Sequence, residues 1–285
     1  MTNILITIFS YLIDKKFGEF RFIKHPIIII GEMIEYFERK YYEDSIKRGF
    51  YLVLFMLISV GFSSSLLEDF LNSLGSILSI LLTSIIASIF VAHNMLRESV
   101  QNVLDAKDKR EAIAMLVSRD TDDMSESDIY KASIETYAEN LSDGVVAPLF
   151  YLLFFGLSGM IIYKVINTMD SMVGYRNEKY ENYGKVAAYL DDAVNFIPSR
   201  LTALLIMSTS ASTVKRYGLF GFYKNASLHD SPNAGHPITA AALVLGVKLG
   251  GDTRYFGKVK HKAYFGDGRK IITKGDVKNV LRILV

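Results

Sequence analysis

The amino-acid sequence predicts an all-α, multi-pass integral membrane protein with about four to six membrane-embedded helical segments, one of them re-entrant. Two observations predict this fold class. Half of the 285 residues are apolar. Long uncharged apolar runs alternate with heavily charged segments, a pattern that is typical of membrane proteins. The chain shows no internal repeat, and we predict a single membrane domain over residues 1–285.

Composition excludes several function classes. The chain has no cysteine, which excludes disulfides, cysteine-ligated metals and a thiol nucleophile. Its net charge of +2 is too small to indicate a nucleic-acid partner. No zinc-binding HExxH pattern, phosphate-binding P-loop or glycine-rich dinucleotide motif is present.

The first apolar segment and the two clear spans come early in the chain. Residues 1–13 are apolar without a small-residue cleavage site, which favours a retained anchor or a buried helix over a signal peptide. Residues 49–67 and 74–92 are uncharged and each is close to the ~20 residues that a span requires. The acidic link between these spans lacks Lys and Arg, whereas the outer flanks carry many. We therefore predict that the link, residues 68–73, is external and that residues 14–48 and 93–144 are cytoplasmic.

The apolar segment 145–162 contains breaks. Pro148 lies near its start, and Gly156 and Gly159 interrupt its middle. It forms either one broken span or a re-entrant hairpin that returns to the same side of the membrane. We favour a hairpin that turns at Gly156 to Gly159, because the polar motifs on both flanks resemble parts of one site. Shorter apolar stretches and a basic tail follow.

Carboxylates recur at helical spacing within the polar segment 93–144. Glu135, Glu139 and Asp143 are four residues apart and would share one helix face, with an apolar segment directly behind them. A solvated acidic face is one interpretation. The other is a divalent cation that holds phosphate at the membrane boundary. Arg119 and Asp120 precede this helix in the same segment.

A second group of polar residues lies at 163–177, inside the polar segment 163–200. Asp170 is a candidate metal ligand, and Lys164 and Arg176 could neutralise phosphate oxygens. Asn167 could contact substrate, although helix capping is the alternative interpretation.

A third group precedes the next apolar stretch. Asp191 and Asn195 are one helical turn apart, and Asp192 is adjacent to the first of them. Carboxylates this close to apolar sequence need a partner, because burying an unpaired charge is costly. Arg200 follows as a candidate substrate-binding residue or as a side chain that reaches from the membrane boundary into water.

The fourth group is the polar segment 229–237, in which two prolines flank Asn233 and a glycine. Ser231 and Asn233 stand just before a stretch of small residues. Backbone N–H groups at the start of that helix could hold an anion. A plain helix-entry loop explains the same residues equally well.

Together, several long stretches resemble the CobD/CbiB family of cobalamin biosynthesis over residues 25–257. These stretches are VAHNMLRESV, RDTDDMSESDIYKASIETYAENLSDGVVAPLFY, YKVINTMDSMVGYRNEKYENYGKVAAYLDDAVNFIPSRLTALL and SPNAGHPITAAALVLGVKLGG. The resemblance implies an integral membrane enzyme that converts adenosylcobyric acid to adenosylcobinamide or its phosphate. The implied reaction amidates one corrin side-chain carboxylate with aminopropanol or its phosphate and uses ATP and Mg²⁺.

This chemistry agrees with the residues identified above. The predicted catalytic residues are Glu139, Asp143, Asp170 and Lys164, and the first three of these are also the predicted metal ligands. The predicted substrate-binding residues are Arg119, Asp120, Asn140, Asn167, Arg176, Asp191, Asp192, Asn195, Arg200, Ser231 and Asn233. We expect a location in the cell membrane, an active site that faces the cytoplasm, and contact with other enzymes of the corrinoid pathway.

Two other function classes remain open at this point. A membrane phosphotransferase that acts on a nucleotide-activated alcohol is one of them, because its motif is loosely resembled, with poorly matching spacing, by Asp170, Gly174, Arg176, Gly184, Asp191 and Asp192. Broken apolar segments also occur in transporters. Against a transporter, the two clear spans contain no ionisable residue.

Overall fold

A computed structural model describes residues 2–20, 24–175, 177–255 and 257–283 of the chain. Most of these residues are helical. The helices are α1 (Thr2–Phe17), α2 (Pro26–Tyr41), α3 (Ile46–Ser73), α4 (Ser76–Ser88), α5 (His93–Asp105), α6 (Lys109–Ala114), α7 (Glu126–Leu141), α8 (Ala147–Val173), α9 (Lys185–Val194), α10 (Phe196–Ser208), α11 (Ala211–Tyr217), α12 (Tyr223–Ala226), α13 (Gly235–Leu245) and α14 (Lys274–Val280). One π-helical turn, Ser142–Val146, follows α7 directly.

Among the described residues, four short strands lie between Leu249 and Phe265, where the sequence predicts no strand. They are β1 (Leu249–Gly250), β2 (Thr253–Tyr255), β3 (Lys258–Lys260) and β4 (Tyr264–Phe265). β1 pairs with β4 and β2 pairs with β3, both antiparallel. Each strand has only two or three residues, too few for a period-two pattern to show in the sequence.

The chain divides into two compact units, each made of two separate segments. Unit 1 comprises Met1–Asn94 and Ala147–Asn195, and unit 2 comprises Met95–Val146 and Phe196–Val285. The prediction of a single membrane domain stays a prediction beside this division.

The membrane-spanning helices confirm the predicted fold class. By length and composition, the described residues contain three candidate spans, Ile46–Ser73, Ser76–Asp105 and Glu126–Val173, and two shorter apolar helices, Phe196–Ser208 and Gly235–Leu245. α3 exposes large apolar side chains such as Ile58, Phe62 and Phe70. Such a surface is unfavourable in water and suits contact with lipid. The protein is therefore an all-α, multi-pass membrane protein.

α3 and α4 correspond to the two predicted spans, but the turn between them differs from the prediction. The acidic stretch 68–73 is still helical and forms the end of α3. The chain turns instead at Gly75, whose φ of 82° suits glycine. Glu and Asp can continue a helix, whereas a positive φ ends it, so the charged residues do not mark the boundary.

The predicted hairpin is present within α8. Gly156 has φ 71° and ψ −167°, which breaks the helix. The rings of Tyr151 and Tyr163 stack with centroids 5.0 Å apart. In a straight helix these two residues would be roughly 18 Å apart. The chain therefore folds back at Gly156, at the first of the positions that the sequence indicates.

Glu68 of α3 contacts the tip of this hairpin. Its Oε1 accepts a hydrogen bond from Leu157 N at 3.0 Å, and its Oε2 accepts one from Ser158 N at 3.1 Å. A Cβ at Gly156 would lie 2.2 Å from Glu68 Oε1. The carboxylate thus satisfies N–H groups that the start of a helix leaves without a partner.

An apolar core joins the helices of unit 1. α2, α3, α8 and α9 contribute its buried side chains, which include Ile34, Leu52, Met56, Val165 and Met169. This core fixes α9 against the second arm of the α8 hairpin.

In unit 2, α13 packs closely on α10. Three consecutive residues of α13, Ala240, Ala241 and Ala242, are fully buried. Small side chains let two helix backbones approach closely, as the small apolar stretch in the sequence indicates. A second core forms from α5, α6 and α7 around Val103, Ile113 and Ile129.

Candidate functional site

Two cavities lie within unit 2, next to each other. The smaller cavity, which we call the inner cavity, has a volume of about 280 Å³. It is lined by Leu116, Val117, Ser118, Arg119, Glu135, Thr136, Glu139, Asn140, His229, Ile238, Gly250, Gly251, Thr253, Tyr255, Lys262 and Phe265. The larger cavity, of about 490 Å³, shares Arg119 and Thr253 and includes the predicted residue Asp120.

A buried ion pair forms one wall of the inner cavity. Arg119 Nη2 donates to Glu135 Oε2 at 2.8 Å, and Gly250 N donates to Glu135 Oε1 at 2.6 Å. Burial alone would lower the pKa of Arg119, but the charge of Glu135 and the hydrogen bond to it outweigh burial and raise that pKa. The two charges therefore compensate each other, and Arg119 is held in place by Glu135.

Glu139 and Asn140 lie one turn beyond Glu135 on α7 and also line the inner cavity. The sequence predicts this shared face correctly for Glu135 and Glu139. Asp143 is different, because α7 ends at Leu141 and Asp143 belongs to the π-helical turn. A π-turn holds an extra residue, so the four-residue spacing no longer keeps one face. Asp143 is not among the residues that line the inner cavity.

The β2–β3 hairpin and the chain directly after it bring two residues to the inner cavity that the sequence analysis missed. They are Tyr255 and Lys262, and Lys262 Nζ donates to the Tyr255 hydroxyl at 2.9 Å. Asp120 anchors this hairpin: Asp120 N donates to Arg254 O at 2.9 Å, and Gly257 N donates to Asp120 Oδ2 at 2.7 Å. The structure thus gives the predicted residue Asp120 a positioning role.

His229, also missed, reaches the same cavity from the 229–237 loop. Its Nδ1 accepts a hydrogen bond from Ser231 N at 3.0 Å. The Ser231 hydroxyl accepts hydrogen bonds from Asn233 N and Ala234 N, both at 3.2 Å. The predicted residue Ser231 therefore orders the turn that precedes α13 and orients His229.

Arg200 and Asn233, both predicted, contact each other in unit 2. Arg200 Nη1 donates to Asn233 Oδ1 at 2.8 Å, and Nη2 donates to Pro232 O at 3.1 Å. The Ser199 hydroxyl also donates to Asn233 Oδ1, at 3.2 Å. The guanidinium carbon lies 3.7 Å from the centre of the Phe196 ring. These contacts fasten the 229–237 loop to α10.

The predicted residues of unit 1 form a buried polar network between α8 and α9. Asn167 Nδ2 donates to Asp191 Oδ1 at 3.2 Å, and the Tyr163 hydroxyl donates to Asn195 Oδ1 at 2.9 Å. Lys164 is buried on the same helix. Burial raises the pKa of the Asp191 carboxyl. The sequence argument that these carboxylates need partners is confirmed for Asp191.

Other predicted residues of unit 1 lie near Gly174, at the end of α8. A Cβ at Gly174 would lie 2.0 Å from Asp170 Oδ1, so the carboxylate covers that glycine. Asp192 and Gly174 line an open cavity of about 250 Å³ together with Lys185 and several tyrosines. Arg176 lies outside the described residues.

The predicted metal ligands are distributed over both units, with Glu139 and Asp143 in unit 2 and Asp170 in unit 1. Within the ranges that the structure describes, no three His, Asp or Glu side chains are arranged to hold a metal ion. Mg²⁺ that binds with phosphate groups needs only one or two protein carboxylates. Glu139 lies at the inner cavity, and the three-ligand set stays a prediction.

Comparisons with known proteins agree with the sequence resemblance. A family model described as "CobD/Cbib protein" matches residues 7–284. "Probable cobalamin biosynthesis protein CobD" of Pyrococcus furiosus is 42% identical over 244 residues, 84% of this chain and 82% of the relative. "Cobalamin biosynthesis protein CobD" of Clostridium perfringens is 36% identical over 290 residues, 97% of this chain and 92% of the relative. The protein of the same name from Halalkalibacterium halodurans is 33% identical over 298 residues, 99% of this chain and 92% of the relative.

No solved structure matches the chain significantly. The family match covers nearly all of the sequence and includes both segments of each unit. The chain belongs to the CobD/CbiB family and acts in cobalamin biosynthesis.

Proposed function

We propose that this protein converts adenosylcobyric acid to adenosylcobinamide or its phosphate. The reaction is the ATP-dependent amidation of one corrin side-chain carboxylate with aminopropanol or its phosphate. It makes the protein a ligase that forms a carbon–nitrogen bond. Membership of the CobD/CbiB family supports the pathway, and the inner cavity of unit 2 supports the reaction.

The charges of the inner cavity are the observation that carries this proposal. Arg119 and Glu135 compensate each other through their ion pair. The other formally charged side chains of the lining are Lys262 and Glu139, one of each sign. Such a cavity suits a ligand that carries an ammonium group and an anionic group together. Its volume of about 280 Å³ lies below the ~300–1,000 Å³ of sites for drug-sized ligands, so it suits a small amine.

The chemistry requires the groups that line this cavity. ATP transfers a phosphoryl group to the corrin carboxylate and makes it an acyl phosphate. The amine nitrogen then attacks the acyl carbon, the C–N bond forms, and phosphate leaves with the electrons of the C–O bond. The ammonium must lose protons before and during attack, and the Glu139 carboxylate can accept them. Asn140 and Lys262 can hold the oxygens of the substrates by hydrogen bonds.

A divalent cation would supply charge neutralisation for the phosphates of ATP. Glu139 is the cavity carboxylate that could hold it, and Asp143 and Asp170 stay predicted ligands. We further propose a location in the cell membrane with the inner cavity open to the cytoplasm. The Lys and Arg residues that flank the first pair of spans support that orientation.

Product mass tests the proposal directly. Purified full-length protein is incubated with adenosylcobyric acid, ATP, Mg²⁺ and either aminopropanol or its phosphate. We expect a corrinoid product whose mass has increased by the amine minus water, and no product without ATP. An unchanged corrinoid mass with both amines would contradict the proposed reaction and leave the family membership intact.

A further inference from the structure

The basic tail contributes a cation, Lys262, to the inner cavity, and no acidic side chain among the described residues forms an ion pair with it. Lys262 Nζ donates to the Tyr255 hydroxyl at 2.9 Å. Among residues 2–20, 24–175, 177–255 and 257–283, no carboxylate forms an ion pair with Lys262. In the same hairpin, Lys260 pairs with Asp230 at 2.6 Å and is exposed. Lys262 is thus available for an anionic ligand.

Tyr255 contacts Lys262 and lines the same cavity as Arg119. Burial raises the pKa of the Tyr255 phenol, but the hydrogen bond from Lys262 and the charges of Lys262 and Arg119 outweigh burial and lower that pKa. The phenol oxygen accepts from Lys262, which leaves its O–H as a donor. Two cations and one hydroxyl donor therefore lie along one side of the cavity.

His229 supplies a neutral donor to the same cavity. Because the Ser231 N–H can only donate, His229 Nδ1 must accept its hydrogen bond. A neutral ring then carries its proton on Nε2. Burial and the charge of Lys262 lower the pKa of His229, which keeps the ring neutral at pH 7. The Phe265 ring packs against the imidazole, with centroids 5.4 Å apart, and restricts its rotation.

We infer that Lys262, Tyr255 and His229 form an oxyanion subsite of the inner cavity, which binds the oxygens of a phosphate monoester or of inorganic phosphate. The lysine supplies charge, and the phenol O–H and the imidazole Nε2–H supply two neutral donors. The Arg119 guanidinium is already held by Glu135 and is not the principal anchor. This inference deepens the proposed function, because the subsite lies in the same cavity.

Calorimetric titration of inorganic phosphate into the detergent-solubilised full-length protein tests the subsite. Lys262→Gln should weaken phosphate binding roughly ten- to hundredfold, because it removes a hydrogen bond from a charged group. Lys262→Arg should keep most of the affinity for phosphate, and this result would show that position 262 tolerates substitution. The matched control is Lys258→Gln, an exposed lysine of the same hairpin, which should change affinity by less than about twofold.

His229 is tested by two variants and a spectroscopic signature. The amide nitrogen of glutamine can reach the position of Nε2, so His229→Gln should retain more phosphate affinity than His229→Leu. In ¹⁵N-histidine-labelled protein, the signal lost in His229→Gln should be that of a neutral ring protonated on Nε2 at pH 7. A ring protonated on Nδ1 would overturn the assigned role of His229.

The outcomes separate this inference from the proposed function. The subsite is overturned if the wild-type protein does not bind phosphate, or if Lys262→Gln binds it as tightly as the wild type. It is also overturned if Lys258→Gln causes the same loss. Phosphate binding that depends on Lys262 in a protein without amidation activity would contradict the proposed function and leave the subsite standing.

Discussion

The predicted polar residues between α8 and α9 in unit 1 contact one another, whereas those at the end of α7 in unit 2 line a cavity. In unit 1, Asn167 binds Asp191 and Tyr163 binds Asn195, both between packed helices. In unit 2, Glu139 and Asn140 face the inner cavity from α7. Buried polar groups that are paired contribute to stability, and groups that line a cavity can contact a ligand. Substitutions in the two units should therefore change different measured quantities.

The largest predicted effect is a loss of turnover caused by a substitution in the inner cavity. Glu139→Gln keeps the size of the side chain and removes its charge, so turnover should fall about 100- to 1,000-fold. The unfolding temperature should stay the same, because Glu139 is exposed. Steady-state rates of corrinoid amidation provide the measurement. Glu111→Gln, an exposed acid of α6 in the same unit, is the matched control and should retain full turnover. A fully active Glu139→Gln protein would exclude the carboxylate from the reaction.

Asp143→Asn and Asp170→Asn test the predicted three-ligand metal site by the same assay. If all three carboxylates hold one cation, each variant should lose turnover about as much as Glu139→Gln. Raised Mg²⁺ should then restore part of the activity. Normal turnover in both variants would restrict the metal to Glu139 or remove it from the protein.

The hairpin tip should give the largest effect on stability. Gly156→Ala places a Cβ 2.2 Å from Glu68 Oε1 at a φ of 71°, and it should lower the free energy of unfolding by roughly 2 kcal/mol. Gly61→Ala in α3 is the control, because its Cβ would meet Ile162 at an ordinary 3.7 Å. Thermal unfolding in detergent measures both variants. Equal stability of the two would show that the chain does not turn at Gly156.

A smaller loss of stability should follow from the buried network of unit 1. Tyr163→Phe keeps the ring that stacks on Tyr151 and removes the hydroxyl group that donates a hydrogen bond to Asn195. We expect the free energy of unfolding to fall by about 1–2 kcal/mol, with turnover close to normal. Tyr189→Phe, which removes a hydroxyl from an exposed tyrosine, should change neither quantity. If Tyr163→Phe lowered turnover at unchanged stability, the network would be a substrate site.

Cysteine labelling should perturb the protein least, and it tests the orientation of the chain in the membrane. Because the chain contains no native cysteine, each introduced cysteine reports alone. A cysteine at Asn72 should react with an impermeant maleimide in intact cells. Cysteines at Asn140 and Asn177 should react only after permeabilisation. The reverse result at Asn72 would invert the topology, and opposite sides for Asn140 and Asn177 would contradict the hairpin's return to one side.

Much of the fold could be predicted because local sequence controls it. The length of uncharged sequence located α3 and α4, and Gly156 identified the turn of the hairpin. The sequence predicts the end of the first span too early, because the acidic residues Glu68 and Asp69 suggest a link, whereas α3 continues to Ser73. Glu68 lies within this helix, and its carboxylate accepts hydrogen bonds from Leu157 N and Ser158 N. These partners are 89 and 90 positions further along the chain, so local sequence does not indicate the contact.

The candidate site was predicted only in part. Glu135 and Glu139 share a face because one helix carries both, so their spacing was sufficient. Tyr255 and Lys262 are separated from α7 by more than 100 residues, and a hairpin of two three-residue strands brings them to the cavity. His229 is part of no recognisable motif, and its position near Lys262 depends on tertiary contacts that the local sequence does not specify.

The sequence by itself determined the membrane class, the family and the carboxylates of α7, because hydropathy, long motifs and helical spacing are local properties. The tertiary structure decided which charges remain available. Only packing pairs Arg119 with Glu135 and leaves Lys262 without a carboxylate among the described residues. Only packing buries Asp191 against Asn167. The physical reason is that charge compensation depends on distances between side chains far apart in the sequence, which spacing along the chain does not specify.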